Sequence, residues 1–118
     1  MARILIVDNA EYLRVHISKL LIGSGHQVIE AKDGLAAVNT YKAEHPDVVL
    51  IDITMPEMDG LQALKEIRAF DPKARVVMLT ALGQESAVLE AIKSGARDCV
   101  TKPFEGDRVL NAIRKALG

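Results

Sequence analysis

The sequence holds a single cysteine, Cys99, so no disulfide can close within the chain, a usage that fits a reducing compartment. It has no excess of either charge: 15 Lys and Arg stand against 16 Asp and Glu, for a formal net charge of −1. That balance gives no electrostatic reason to expect nucleic acid as a partner. No apolar run approaches the roughly 18 residues of a membrane span, and the short run after Met1-Ala2-Arg3 is cut off by Asp8 before a signal-peptide core could form. Low-complexity segments, linkers and internal repeats are likewise missing. These absences predict one soluble, cytoplasmic domain over residues 1–118, long enough to bury about two-thirds of its unfolded surface.

What the sequence does have is a series of short apolar runs that stop on polar residues. Val48-Val49-Leu50-Ile51 is the most apolar and ends on Asp52. Four such residues in a row, three of them β-branched, read as a strand buried on both faces, as in parallel sheets covered by helices. Ile4-Leu5-Ile6-Val7 ends on Asp8 and Asn9, Val76-Val77-Met78-Leu79 on Thr80, and Cys99-Val100-Thr101 on Lys102, while Gln27 to Ala31 reads as a further strand.

Between the strands, apolar residues recur at helical spacing. Leu13, Ile17, Leu20 and Leu21 form one stripe, stopped by Gly23 and Gly25; Asp33-Gly34 opens a helix with Leu35, Val38 and Tyr41 that ends before His45-Pro46. Asp59 reads as the N-cap of a helix with Leu61, Leu64 and Ile67 on its inner side, closed by Asp71-Pro72. Val88, Ala91 and Ile92 precede a left-handed stop at Gly95, and Val109, Ile113, Ala116 and Leu117 mark the last helix.

Five β-then-α units predict an α/β fold of (βα)5 type: a doubly wound, flavodoxin-like parallel sheet with helices on both faces. Two doubly wound orders are common, and one of them, 2-1-3-4-5, the order that the chain's family resemblance implies, seats the first strand beside the third and would make Asp8 and Asp52 neighbours. In a parallel sheet all four polar strand ends emerge at the carboxyl edge, where open α/β folds bind ligands.

Two carboxylates and the Asn9 carboxamide, with no His or aromatic ring among them, make a hard oxygen site suited to Mg²⁺ rather than Zn²⁺. The chemistry suggested is attack of the Asp52 carboxylate on phosphorus to give an acyl phosphate, with Lys102 and the Thr80 hydroxyl stabilising charge on the phosphoryl oxygens. Singly, each residue has a plainer reading. Asp8 and Asn9 would be helix caps, Thr80 a strand end, Lys102 a solvated charge and Cys99 a small buried hydrophobe. His16, His26 and His45 lack metal-ligand spacing and read as surface or capping residues, and Met55 and Met58 as packing or exposed residues. The match of four strand ends to one reaction favours the functional reading.

The motifs Ile4-Leu5-Ile6-Val7-Asp8, Asp52-Ile53-Thr54-Met55-Pro56-Glu57-Met58-Asp59-Gly60, Thr80-Ala81 and Lys102-Pro103-Phe104 carry a resemblance over essentially the whole length. The chain resembles the receiver domains of two-component response regulators, whose strand order is 2-1-3-4-5. The resemblance implies that Asp52 is the phosphoacceptor and that Asp8, Asn9 and Asp52 hold Mg²⁺ together with the backbone carbonyl of Thr54. Thr80, Ala81 and Cys99 take the family's switch positions, and Lys102 pairs with the phosphoryl group, aimed by a cis peptide bond to Pro103.

Two positions depart from that pattern. Relatives usually carry a second acid at Asn9 and an aromatic ring or His at Cys99. The first departure predicts weaker metal binding. The second predicts that the signal is read mainly from Ala81-Leu82-Gly83 and the helix after it.

Thr80-Ala81-Leu82-Gly83-Gln84-Glu85 and the Lys102-Pro103-Phe104 stretch resemble most closely the stand-alone chemotaxis regulators of the CheY type. This implies a monomeric signalling switch rather than an enzyme, without an output domain, with Asp52 assisting its own phosphorylation and dephosphorylation. Its partners would be a CheA-like histidine kinase, a flagellar motor switch or other output protein, and a phosphatase. The alternatives are a phosphorelay intermediate that serves a histidine phosphotransfer protein, a pseudo-receiver that no longer takes phosphate, and a small phosphatase-like enzyme.

Overall fold

The computed structural model describes residues 2–53 and 58–118. The elements run β1 (Arg3–Val7), α1 (Glu11–Gly23), β2 (Gln27–Ala31), α2 (Gly34–Glu44), β3 (Val48–Asp52), α3 (Gly60–Phe70), β4 (Val76–Thr80), α4 (Glu85–Lys93), β5 (Asp98–Thr101) and α5 (Gly106–Leu117). The five strands form one parallel sheet in the order β2-β1-β3-β4-β5, as expected. Among the described residues no helix is long and apolar enough to cross a membrane.

The two-residue period of a strand divides the apolar residues between two cores. Ile4, Ile6, Val48, Leu50, Val77 and Leu79 face α1 and α5, where Ile17, Leu21, Val109 and Ile113 meet them. Leu5, Val7, Val49, Ile51, Val76 and Met78 face the other way, against Ala37, Val38 and Tyr41 of α2, Ala63, Leu64 and Ile67 of α3, and Ala91 of α4. Because β1, β3 and β4 are covered on both sides, they carry the unbroken apolar runs.

Two helix residues do not sit where the spacing put them. Leu35 is 49% exposed and Ile92 48% exposed. α2 turns Ala37, Val38 and Tyr41 to the sheet, and α4 buries only Ala91 fully. A helix covered along a narrow stripe leaves the flanking residues of the apolar pattern in water.

Local chemistry sets the helix boundaries. Asp33 Oδ1 accepts from the Ala36 amide at 2.8 Å, and Asp59 Oδ1 from the Gln62 amide at 2.9 Å, so both cap as the sequence indicated. Gly95 has a positive φ of 104° after α4, and His45 closes α2 in the left-handed region at φ 47°.

Candidate functional site

Register and pleat together assemble the site. Val7 pairs with Ile51, so Asp8 and Asp52 lie side by side one residue further on, and both continue the alternation of Ile6 and Leu50 toward the α1 and α5 face. On β5, Val100 faces the same way, and two residues later Lys102 does too. The Lys102 ammonium lies 2.8 Å from Asp52 Oδ2 and 3.1 Å from Asp8 Oδ2. Asp8, Asp52 and Lys102, remote in sequence, therefore meet at the carboxyl edge between β1 and β3. The Lys102–Pro103 peptide is cis.

These groups are largely withdrawn from water. The side chains of Asp8, Asp52 and Lys102 are 1%, 12% and 27% exposed. Burial alone would lower the pKa of Lys102; hydrogen bonds and charge from Asp52 and Asp8 outweigh it and hold the ammonium above its ordinary value. Asp8 Oδ1 accepts from the Ala10 amide at 2.8 Å.

That last bond corrects one expectation. Neither Asp8 nor Asn9 caps α1: the N-cap position is Ala10, with no side-chain cap bond. The Asp8 carboxylate is divided between a two-residue turn and Lys102, and the Asn9 side chain stands exposed at the rim. A cleft of about 470 Å³ opens over the three charged groups, with Asn9, Tyr12, His16 and Phe104 along its walls.

Thr80 sits apart from this trio. It is 2% exposed and follows Val76 and Met78 toward the opposite face, and its hydroxyl donates to Thr101 Oγ1 at 3.5 Å, a long bond. With Ala81 it lines a second cleft of about 430 Å³ at the start of α4. Cys99 is half-buried against the α2, α3 and α4 core; burial, then the charge of Asp98, pushes its thiol pKa up. An inert packed thiol is the result, in keeping with the reading of Cys99 as a small hydrophobe. Thr54 and Met55 lie outside the described residues.

Three features were not found from sequence. Arg14 donates from Nη1 to the Asp8 carbonyl at 2.5 Å while its Nε reaches Glu30 Oε1 at 3.1 Å, tying the end of β1 to α1 and β2. Its position six residues after Asp8 carries no recognisable signal. Gly60 brings the start of α3 so close to β3 that a Cβ there would lie 2.0 Å from the Asp52 carbonyl oxygen. The Asp59-Gly60 pair marked a cap but not this approach. Third, Gln84 Oε1 accepts from the Ala81 amide at 2.6 Å.

As a metal site, the donor set is two carboxylates with a neutral carboxamide beside them, and no cluster of three or more His, Cys, Asp or Glu that could hold a metal occurs among the described residues. Mg²⁺ is commonly held by one or two carboxylates while keeping several waters, so the residues fit it, whereas a tetrahedral nitrogen or sulfur metal would find His16 as the one nitrogen or sulfur ligand among the described residues of the cleft.

The model of the response regulator receiver domain matches residues 4–114. The chain is 53% identical over 116 residues to the chemotaxis protein CheY of Bacillus subtilis, covering 98% of this chain and 97% of that protein. A response regulator receiver domain protein from Clostridium thermocellum superposes with a TM-score of 0.95 at 28% identity, over 99% of this chain and 94% of that one. A crystal structure of a CheX-CheY-BeF3-Mg²⁺ complex from Borrelia burgdorferi gives a TM-score of 0.93 at 35% identity, over 98% of this chain and 89% of that one.

Proposed function

The chain belongs to the response regulator receiver domain family, and from that premise we propose that it accepts a phosphoryl group on Asp52 from a histidine kinase and relays chemotaxis signals to the flagellar motor. The observation that carries the proposal is the single ammonium of Lys102 bridging two adjacent, buried carboxylates at the edge of the sheet. An Asp52 oxygen attacks phosphorus, the bond from phosphorus to the donor nitrogen breaks, and the leaving imidazole keeps the electron pair and takes a proton.

Lys102 then exchanges part of its contact with Asp52 for a phosphoryl oxygen, neutralising charge where it develops. Asp8 and Asp52, with Asn9 at the rim and Thr54 as a further oxygen donor, would hold Mg²⁺, which when bound offsets the repulsion between an anionic donor and an anionic carboxylate.

Phosphorylation adds nearly two negative charges and three acceptor oxygens at the strand ends. The Thr80 hydroxyl, held only by a long bond to Thr101, is a donor at the end of β4 that can turn to them. The population of the active arrangement rises by the difference in interaction between the two states and by no more. Cys99 cannot fill the volume of a ring, so Ala81-Leu82-Gly83 and α4 carry the change to a partner.

Partners consistent with this reading are a CheA-like kinase, a motor switch protein and a phosphatase. The test incubates the protein with phosphorylated CheA and measures phosphoryl transfer, then affinity for a motor-switch peptide. Transfer with a gain in peptide affinity supports the proposal. Transfer without it, followed by passage of the phosphoryl group to a histidine phosphotransfer protein, would make the chain a relay intermediate. No transfer at all would leave the pseudo-receiver.

A further inference from the structure

Gln84 stands at the N-cap position of α4, and its carbonyl accepts the Val88 amide at 3.0 Å, yet its side chain makes no capping bond to that helix. Glutamine is not among the residues favoured for capping. Its carboxamide turns backward instead, and Oε1 accepts from the Ala81 amide at 2.6 Å.

The direction of that amide matters. On β4 the Leu79 carbonyl points to β3, where it accepts from Ile53 at 3.0 Å, and the Thr80 carbonyl points to β5, where it accepts from Lys102 at 2.7 Å. Peptide groups along a strand alternate sides, so the Ala81 N–H falls on the side of β3. Asp52 pairs with Leu79, so the amide emerges just past the Asp52 end of that strand. A phosphoryl group on Asp52 would lie on the side to which Ala81 donates.

We propose that Gln84 is a positioning residue that holds the Ala81 amide in the resting state, and that phosphorylation of Asp52 draws this amide from the Gln84 carboxamide to a phosphoryl oxygen. The inference rests on Asp52 being the phosphoacceptor. Neighbouring residues permit the exchange: Ala81, Leu82 and Gly83 are exposed, and Gly83 has a φ of 87°, which lets the loop turn tightly without strain. The bond from Ala81 to Gln84 thereby biases the equilibrium toward rest, and removing it shifts the population toward the active arrangement.

Three forms of the protein test this: wild type, Gln84→Ala and Gln84→Glu. Hydrogen exchange at the Ala81 amide is read by NMR in the unmodified proteins, each is titrated with beryllofluoride and Mg²⁺, and unfolding in urea is followed in parallel. Gln84→Ala should speed Ala81 exchange and bind beryllofluoride about 3- to 10-fold more tightly, the range expected for one net hydrogen bond. Gln84→Glu keeps an acceptor oxygen, so it should restore protection and bind no more tightly than wild type.

Unchanged Ala81 exchange in Gln84→Ala, or faster exchange with unchanged affinity, would overturn the proposal. So would an equal loss of unfolding stability in both variants with no difference between them in exchange, which would assign Gln84 to α4 stability alone. A wild type that binds no beryllofluoride would overturn the premise instead. That failure is told apart by Ala81 exchange, which needs no phosphoryl mimic.

Discussion

The carboxyl edge of the sheet and the corner where α2 and α3 end both hold short polar bonds, and they are built on opposite accounts of charge. At the corner the Tyr41 hydroxyl donates to Asp71 Oδ2 at 2.7 Å, and Asp71 Oδ1 accepts from the Lys73 amide at 3.0 Å. Phe70 and His45 pack around Tyr41, and the Lys42 ammonium lies 5.6 Å from the centre of the Phe70 ring. Both Asp71 oxygens have a donor there. At the carboxyl edge two buried carboxylates share one ammonium. The corner ties one carboxylate to neutral donors, whereas the edge, among the described residues, sets two buried carboxylates against the one ammonium of Lys102, a place that a cation can join.

Backbone intolerance at the edge should give the largest effect. Gly60→Ala places a methyl group against the Asp52 carbonyl and should cost about 3 kcal/mol in urea unfolding. Next, Lys102→Met leaves two buried carboxylates facing each other and should cost about 2 kcal/mol, less than a fully buried pair because Lys102 is partly in water. Asp52→Asn should instead leave stability unchanged or raise it slightly, since Asp8 keeps the ammonium to itself. Equal losses from these last two variants would erase the contrast between edge and corner.

At the corner, Tyr41→Phe should cost about 1 kcal/mol at neutral pH. The Tyr41 bond, then the Lys73 amide, lowers the pKa of Asp71, while burial, then the Asp71 bond, raises that of Tyr41. A lowered carboxylate pKa contributes stability above the unfolded value near 4, which is lost as pH falls through the folded value. A raised hydroxyl pKa contributes below the unfolded value near 10, which is lost as pH rises through the folded one. The difference between wild type and Tyr41→Phe should therefore be greatest between about pH 4 and 10 and shrink on either side. Unfolding measured across pH checks it.

The smallest change in stability belongs to Asn9→Asp, which adds a third acid at an exposed rim. It should lower stability without metal by a few tenths of a kcal/mol yet tighten Mg²⁺ about tenfold, measured by calorimetry. Unchanged Mg²⁺ affinity would remove Asn9 from the metal site.

These two regions were not equally legible in the sequence. The edge was readable because strand ends in a parallel sheet must gather on one side, so the apolar runs brought Asp8, Asp52, Thr80 and Lys102 to that edge, while the family resemblance supplied the strand order and the pairing of Lys102 with the site. What alternation would also have shown is that Thr80 follows Met78 to the other face, away from Lys102. The corner was not readable: Tyr41 looked like one more core residue, and its bond to Asp71 depends on where two helices end. Arg14 and Gln84 escaped for a related reason, since both reach backbone groups and such bonds leave no pattern in side-chain periodicity. A carboxylate before a helix has several uses, so capping stood beside the functional reading of Asp8, and the division of its two oxygens between the Ala10 amide and Lys102 is a tertiary fact.

The measurement that bears most directly on the account is intact mass after incubation with acetyl phosphate, with and without Mg²⁺, for the wild type and Asp52→Ala. The account predicts one added phosphoryl group on the wild type with Mg²⁺, lost without the metal and absent from Asp52→Ala. A wild type that gains none, or an Asp52→Ala variant that gains one as readily, would contradict it.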